Sequence, residues 1–466
     1  MTQASGPYDG RKARRKRCDR CVERRIKCIG GFPCLNCSKT NRTCHITTKR
    51  KTSAPIFLHA TQATYTNTAH SHVNKTTVSL IPRAPSIKSD IYLTHFFISF
   101  LHQNSFTGIA PRFETSLCSL VHHAPELRDA INAISALHIT QHSQLASTRD
   151  ENLAALQAYS RSVHCVQAKI ASKSFLCDPS ALWTTLLLGV FELMRDSTGT
   201  NWLAHFLHGT STILRMQGPN MLILPNKDTE QRQMFFFGAR IFEIVRALIF
   251  TEPTFLAEPE WKLATKLYWI QHMGAWTPKE ALFDILPQFV DLGTRTLHFV
   301  TNAQNMPQQV QHYSATSLAQ EGLVLQSTLL HWHSDFTSWA SLSVDGNKLD
   351  VEISIARVYY HTISVYLDGI FSYHVPFTSA SAPPSPTLSS TVVGGHVRQI
   401  LMTSGSLLDQ GSAGILLFFP LRVAGARARD RSTRFEILQL LETITLRGFS
   451  VAQSFVNDLN ELWARQ

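Results

Sequence analysis

No apolar run in this sequence reaches the ~18 residues that a membrane-spanning helix needs. The nearest candidates, 182–191 and 415–423, are short and are interrupted by Thr184 and Thr185 in the first and Arg422 in the second. The basic start is not followed by an apolar stretch, which argues against a secretory signal. The chain is therefore expected to stay in a reducing compartment, where clustered cysteines serve as metal ligands rather than disulfides. The excess of bases over acids is concentrated in one region. Residues 1–51 hold three acids, Asp9, Asp19 and Glu23, against fifteen Lys and Arg, a formal charge of +12; the rest of the 466 residues holds 30 acids and 29 bases. A near-neutral body with one strongly basic end is the footprint of a polyanion-binding module joined to a separate domain.

Enzyme signatures are also missing. There is no nucleotide-binding glycine loop, no HExxH and no G-x-S-x-G. His122 and His123 with Asp129 approach a paired-histidine acyltransfer pattern, but the aspartate stands two residues too far along. Cys118, Cys165 and Cys177 are scattered, and Cys165 lies beside the apolar stripe of its helix, a core position rather than a nucleophile's. The chain is not expected to be an enzyme.

Six of the nine cysteines fall between positions 18 and 44: Cys18, Cys21, Cys28, Cys34, Cys37 and Cys44. Their spacing, C-x2-C-x6-C-x5-C-x2-C-x6-C, is an internal repeat of C-x2-C-x6-C. A C-x2-C pair lets two thiolates face one ion from a tight turn, and structural zinc takes about four ligands in tetrahedral geometry. Six thiolates satisfy one ion with two left over, or two ions if two sulfurs are shared; the symmetry of the repeat favours two Zn2+. Large apolar residues in this stretch amount to Ile26, Ile29, Phe32, Leu35 and little else. A segment so small and polar needs a metal to fold. Cross-brace fingers place their ligands in four pairs and use histidine, and the one adjacent histidine, His45, directly follows Cys44, where it is poorly placed to share an ion.

Basic residues surround the cluster. Arginine can pair bidentately with guanine O6 and N7, worth about 1–3 kcal/mol of discrimination. Arg24 and Arg25 are expected to read bases, and Lys27, Lys39 and Arg42 to contact phosphates. The run Arg11, Lys12, Arg14, Arg15, Lys16 and Arg17 is read as a nuclear-localisation signal, as extra phosphate contact, or as both.

The stretch CDRCVERRIKC…PCLNCSKTNRTC resembles the fungal Zn(2)-Cys(6) binuclear cluster family in all six cysteines, Asp19, the basic run after the second cysteine, and Pro33. The resemblance implies that Cys18 and Cys34 are the bridging thiolates of a two-zinc cluster. It also implies that the basic residues after Cys21 lie on a short helix that enters the major groove of double-stranded DNA and reads a CGG-like triplet. Val22 and Glu23 depart from the family habit of basic or small residues there, and Glu23 is expected to point away from DNA.

Residues 45–90 are rich in Thr, Ser, His, Asn and Lys and carry no apolar heptads, which predicts a flexible linker without a coiled coil. Many members of the family dimerise through a coiled coil at this place; here a homodimer through the helical domain stays open. Beyond it, helical periodicity dominates: Leu153, Leu156, Tyr159, Val163, Val166 and Ile170 recur at steps of three and four. Further helical runs are predicted at 180–195, 201–216, 229–250, 316–336, 351–371, 396–409 and 433–463, with an exposed loop at 375–395. Segments such as 186–193, 202–209, 215–219 and 419–425 resemble the regulatory domain found behind many fungal zinc clusters, which implies a helical domain that sometimes binds a small apolar effector.

The expected fold is thus a small N-terminal binuclear zinc cluster with two short helices (basic run and DNA-binding domain, residues 1–50), a flexible linker (51–90) and a large all-α regulatory domain (91–466). The expected function is a nuclear, sequence-specific transcription regulator of RNA polymerase II genes, controlling metabolic or secondary-metabolite genes by family habit. The alternative is a nuclear interaction protein whose zinc cluster binds protein or RNA. The basic residues between Cys21 and Cys28 favour the first, since a protein-binding finger has no need of them.

Overall fold

The computed structural model describes residues 21, 34–40, 87–106, 110–142, 148–200, 206–224, 228–273, 276–342 and 348–465. The chain divides into two compact units, Met1–Ala69 and His70–Gln466. In the first, the described element is α1 (Leu35–Lys39), and the buried core consists of Cys21, Cys34 and Cys37.

The second unit is helical, and among its described residues no strand forms. Its first half comprises α2 (Ile87–His95), which runs on through a π-helical turn at Phe96–Phe100, then α3 (Ala110–His123), α4 (Pro125–His142), α5 (Thr148–Ala171), α6 (Pro179–Arg195), α7 (His208–Gln217) and α8 (Thr229–Phe250). There follow α9 (Pro259–Gln271), α10 (Pro278–Asn302), α11 (Gln308–Leu342), α12 (Lys348–Ser372), α13 (Ser390–Asp409), α14 (Phe418–Arg427), α15 (Arg431–Leu446) and α16 (Ala452–Ala464).

Several starts are written in the local sequence. Asp178 caps α6 by accepting from the Ser180 N–H at 2.9 Å, with Pro179 in the first position. Thr277 precedes Pro278 at α10, Ser389 caps α13, and Asp430 caps α15 by accepting from the Thr433 N–H at 2.8 Å. Helices α6 and α8 are buried on nearly every side, which makes them the central rods of the core. Phe96, Phe100, Phe206, Phe235, Phe236 and Phe242 are at most 2% exposed, and burying each such ring contributes about 2–3 kcal/mol. At Gly189 in α6 an added Cβ would lie 2.9 Å from the Phe206 ring, so the glycine is what lets that ring approach the helix.

The two ends of this unit are clasped together. Ser105 donates its N–H to the Gly411 carbonyl at 2.8 Å and accepts from the Ala413 N–H at 2.9 Å. Gly411 adopts φ +80°, a left-handed conformation that suits glycine. Arg447 donates to the Gln103 carbonyl, and the Val451 N–H donates to the Leu193 carbonyl at 3.1 Å.

Several local expectations are corrected. Helix α5 forms as predicted, but its buried face is Ala155, Ala158, Ser162 and Val166, while Leu153 and Leu156 are 55% and 39% exposed. The small side chains let α4 pack closely against it, and the Ser162 hydroxyl donates to the Glu126 carbonyl at 2.8 Å. The run at 433–463 is two helices, α15 and α16, separated by a turn in which Gly448 takes φ +105°. The 375–395 segment is not a bare loop. It opens with a helical turn at Val375–Thr378, buries Pro386 and ends in α13, and the Leu388 N–H donates to the Asp368 carboxylate at 2.8 Å. Helices α9 and α10 were not expected; prolines at 253, 259, 278 and 287 punctuate that stretch, yet Pro259 and Pro278 sit in first-turn positions that tolerate them. The start of the expected 201–216 helix lies partly outside the described residues.

Candidate zinc centre and nucleic-acid interface

Cys34 occupies the N-cap of α1 in extended backbone (φ −72°, ψ 151°), and Cys37 follows one turn later. The Ser38 N–H donates to the Cys34 carbonyl at 2.9 Å and the Thr40 hydroxyl to the Cys37 carbonyl at 3.2 Å. This turn sets the two sulfurs of one C-x2-C pair on the same side. The third sulfur, from Cys21, belongs to the other half of the repeat. The three Sγ atoms lie within 4.8 Å of one another, and each residue is at most 2% exposed.

The spacing tests whether zinc fits. With Zn–S bonds of about 2.3 Å, the edge of a tetrahedron of thiolates is about 3.8 Å. The Sγ atoms of Cys21 and Cys34 stand 3.7 Å apart, far longer than the about 2.05 Å of a disulfide. The residues present fit a zinc-thiolate site that draws sulfur from both halves of the repeat.

Lys39 lies in the last turn of α1 and is exposed. Cys18, Cys28, Cys44, Arg24, Arg25, Lys27, Arg42 and the run Arg11, Lys12, Arg14, Arg15, Lys16 and Arg17 lie outside the described residues.

Two comparisons bear on this arrangement. Residues 16–53 match the fungal Zn(2)-Cys(6) binuclear cluster domain, and residues 91–466 match the fungal specific transcription factor domain. The second match spans most of the chain. The chain belongs to the fungal specific transcription factor domain family. Neither a curated protein nor a solved structure matches it.

As a member of the fungal specific transcription factor domain family that also carries the binuclear cluster, the protein is a zinc-dependent, DNA-binding transcription regulator, and its cluster domain binds two zinc ions. Both matched families are transcription-factor domains rather than enzymes. The residues that hinted at catalysis have other partners. Asp129 is bound by the Arg161 guanidinium at 2.7 Å, and His122 and His123 are exposed. Cys165 is half-buried rather than a core residue, and burial followed by the nearby Glu126 and Asp129 carboxylates pushes its thiol up, the opposite of an activated nucleophile. Among the described residues no helix is long and apolar enough to cross a membrane.

The helical domain of this chain also holds a buried ion network that no sequence motif signals. Arg240 of α8, 3% exposed, donates to Asp284 at 2.6 Å and also to Glu280, both on α10. Lys279 pairs with Glu280 at 2.9 Å and with Glu352 of α12 at 2.7 Å. Burial pushes the Glu280 carboxyl up, but the Lys279 and Arg240 cations outweigh it and hold it below its ordinary range. These charges are far apart in sequence and carry no motif; only the meeting of α8, α10 and α12 assembles them.

Proposed function

We propose that the protein acts in the nucleus and reads CGG-like triplets in duplex DNA to regulate genes transcribed by RNA polymerase II, among them metabolic or secondary-metabolite genes. On this reading residues 1–50 form the DNA-binding module, 51–90 a linker, and 91–466 the regulatory domain. All six cysteines, Cys18, Cys21, Cys28, Cys34, Cys37 and Cys44, hold the two zinc ions, with Cys18 and Cys34 shared between them. The zinc ions supply the cross-links that so polar a segment cannot replace by apolar burial. Arg24 and Arg25 read guanine edges, Lys27, Lys39 and Arg42 fix the register on phosphates, and the Arg11–Arg17 run serves nuclear import.

The observation that carries the reading is the approach of Cys21, which Arg24, Arg25 and Lys27 follow in the sequence, to Cys34 at the start of α1, whose last turn carries Lys39. The test is binding of zinc-loaded full-length protein to CGG-containing and scrambled duplexes at fixed salt, since phosphate contacts alone make affinity salt-dependent. A clear preference for CGG supports the reading. Equal binding to both moves the weight to a protein- or RNA-binding cluster.

A further inference from the structure

The helical domain contains a cavity of 690 Å3 between α9, α10 and the side of α8. That size falls in the range of small-molecule sites, roughly 300–1,000 Å3. Its base is deeply set: Phe236, Arg240 and Phe283 all line it and are 0%, 3% and 5% exposed. Trp269 and Pro287 add apolar wall. At the mouth, Ile270, Met273 and Trp276 are 60%, 77% and 47% exposed. Three large apolar side chains exposed around one opening mark a binding surface. A volume of this size favours a small molecule over a helix or strand.

The polar groups specify the charge of the occupant. Lys262 and Lys266 stand one turn apart on α9, both exposed and both lining the cavity. The acid that lines it, Asp284, is already committed: it accepts from Arg240 at 2.6 Å and from the Trp269 indole N–H at 2.9 Å. The Arg240 Nε–H is buried and has no hydrogen-bond partner among the described residues. The lining therefore offers a flat aromatic interior beneath a cationic rim.

We propose that this cavity binds a small amphipathic carboxylic acid, with its apolar body against Trp269, Phe283 and Pro287 and its carboxylate held at the rim by Lys262 and Lys266. The inference rests on the cavity of the helical domain and is independent of how the zinc cluster reads DNA.

The test uses zinc-loaded full-length protein and two fluorescent probes of matched shape, 1-pyrenebutyrate and the neutral 1-pyrenebutanol, with energy transfer from tryptophan to pyrene as readout. The acid is expected to saturate at one per chain and to bind about tenfold tighter than the alcohol, the size of effect two partly screened cations can supply. The Lys262→Ala/Lys266→Ala double variant should bring the acid down to the affinity of the alcohol and leave the alcohol unchanged. Thr265→Trp, which fills the cavity from its wall, should abolish both. Equal affinities for acid and alcohol, or saturable binding that Thr265→Trp leaves intact, would overturn the proposal. Loss of CGG preference with saturable pyrenebutyrate binding would remove the DNA reading and leave this one standing.

Discussion

The Sγ atoms of Cys21 and Cys34 lie 3.7 Å apart although the two stand thirteen positions apart in the chain. Each belongs to a different half of the cysteine repeat, so their approach makes one centre out of two half-motifs. Cys37, one turn after Cys34, comes within the same 4.8 Å cluster. Cys34, at the N-cap of α1, thus has a sulfur of each half nearby, and the proposed function assigns it to both ions.

Cys34→Ala is accordingly expected to cost both zinc ions rather than one. Metal content measured on the purified full-length protein should fall from two zinc per chain towards none, with loss of CGG binding, while the helical circular dichroism of the larger unit persists. A variant that keeps two zinc ions would show that Cys34 is not shared.

Arg25 and Lys39 should separate base reading from backbone anchoring. Arg25→Ala is expected to weaken binding to CGG duplex by about 1–3 kcal/mol and to change scrambled-duplex binding little. Lys39→Ala should weaken both alike and reduce the salt slope by about 1. Fluorescence anisotropy titrations across a salt series read both quantities, and equal losses on the two duplexes for Arg25→Ala would reassign it to phosphate.

His138 should make the helical unit acid-sensitive. It is 2% exposed, its Nδ1 faces His95 Nε2 at 2.9 Å, and the His142 ring lies 4.1 Å away. Burial, then the His142 and His95 rings, push its imidazole down to about 3 from 6.5. The folded chain thus refuses a proton that the unfolded chain accepts, so stability is full above pH 6.5 and is lost as pH falls from there towards 3. At pH 5 one such group costs about 2 kcal/mol. Thermal melts from pH 7 to pH 5 should show a falling Tm, and His138→Gln should flatten the slope; an unchanged slope would show that His138 is not the group responsible.

Two glycine substitutions should have opposite signs. Gly411→Ala places a Cβ 2.1 Å from the His102 carbonyl oxygen at a φ of +80°, in the clasp with Ser105, and should destabilise by at least about 2 kcal/mol. Gly395→Ala lies inside α13 on its exposed side with no atom within 4 Å of the new Cβ, and should stabilise by about 0.5–1 kcal/mol. Denaturant melts compare the two, and a neutral Gly411→Ala would mean the clasp yields.

How far the sequence could be read depended on the range of the physics involved. The cysteine spacing names a metal site because a C-x2-C turn is local, and the match of residues 16–53 to the binuclear cluster domain agrees. Helix α5 was visible in its period of three and four, but its buried side was not: the leucines at 153 and 156 face out, and Ala155, Ala158 and Ser162 face in. Periodicity reports that a helix has two faces; the neighbour decides which one is covered, and here α4 packs against small side chains. Likewise 433–463 carried enough helical pattern to read as one rod, and the break at Gly448 shows only in the backbone.

The sequence alone determined that a strongly basic, cysteine-clustered end precedes a near-neutral helical body, because charge, ligand spacing and helical period are properties of residues close together in the chain. Tertiary structure alone decided that Cys21 meets Cys34, that Arg240, Lys279, Glu280 and Glu352 form one buried ion network, and that Lys262 and Lys266 rim a cavity floored by Phe236 and Phe283. Those arrangements join residues distant in sequence, and which surfaces close on one another is settled by the burial of the whole core rather than by any segment's own preference.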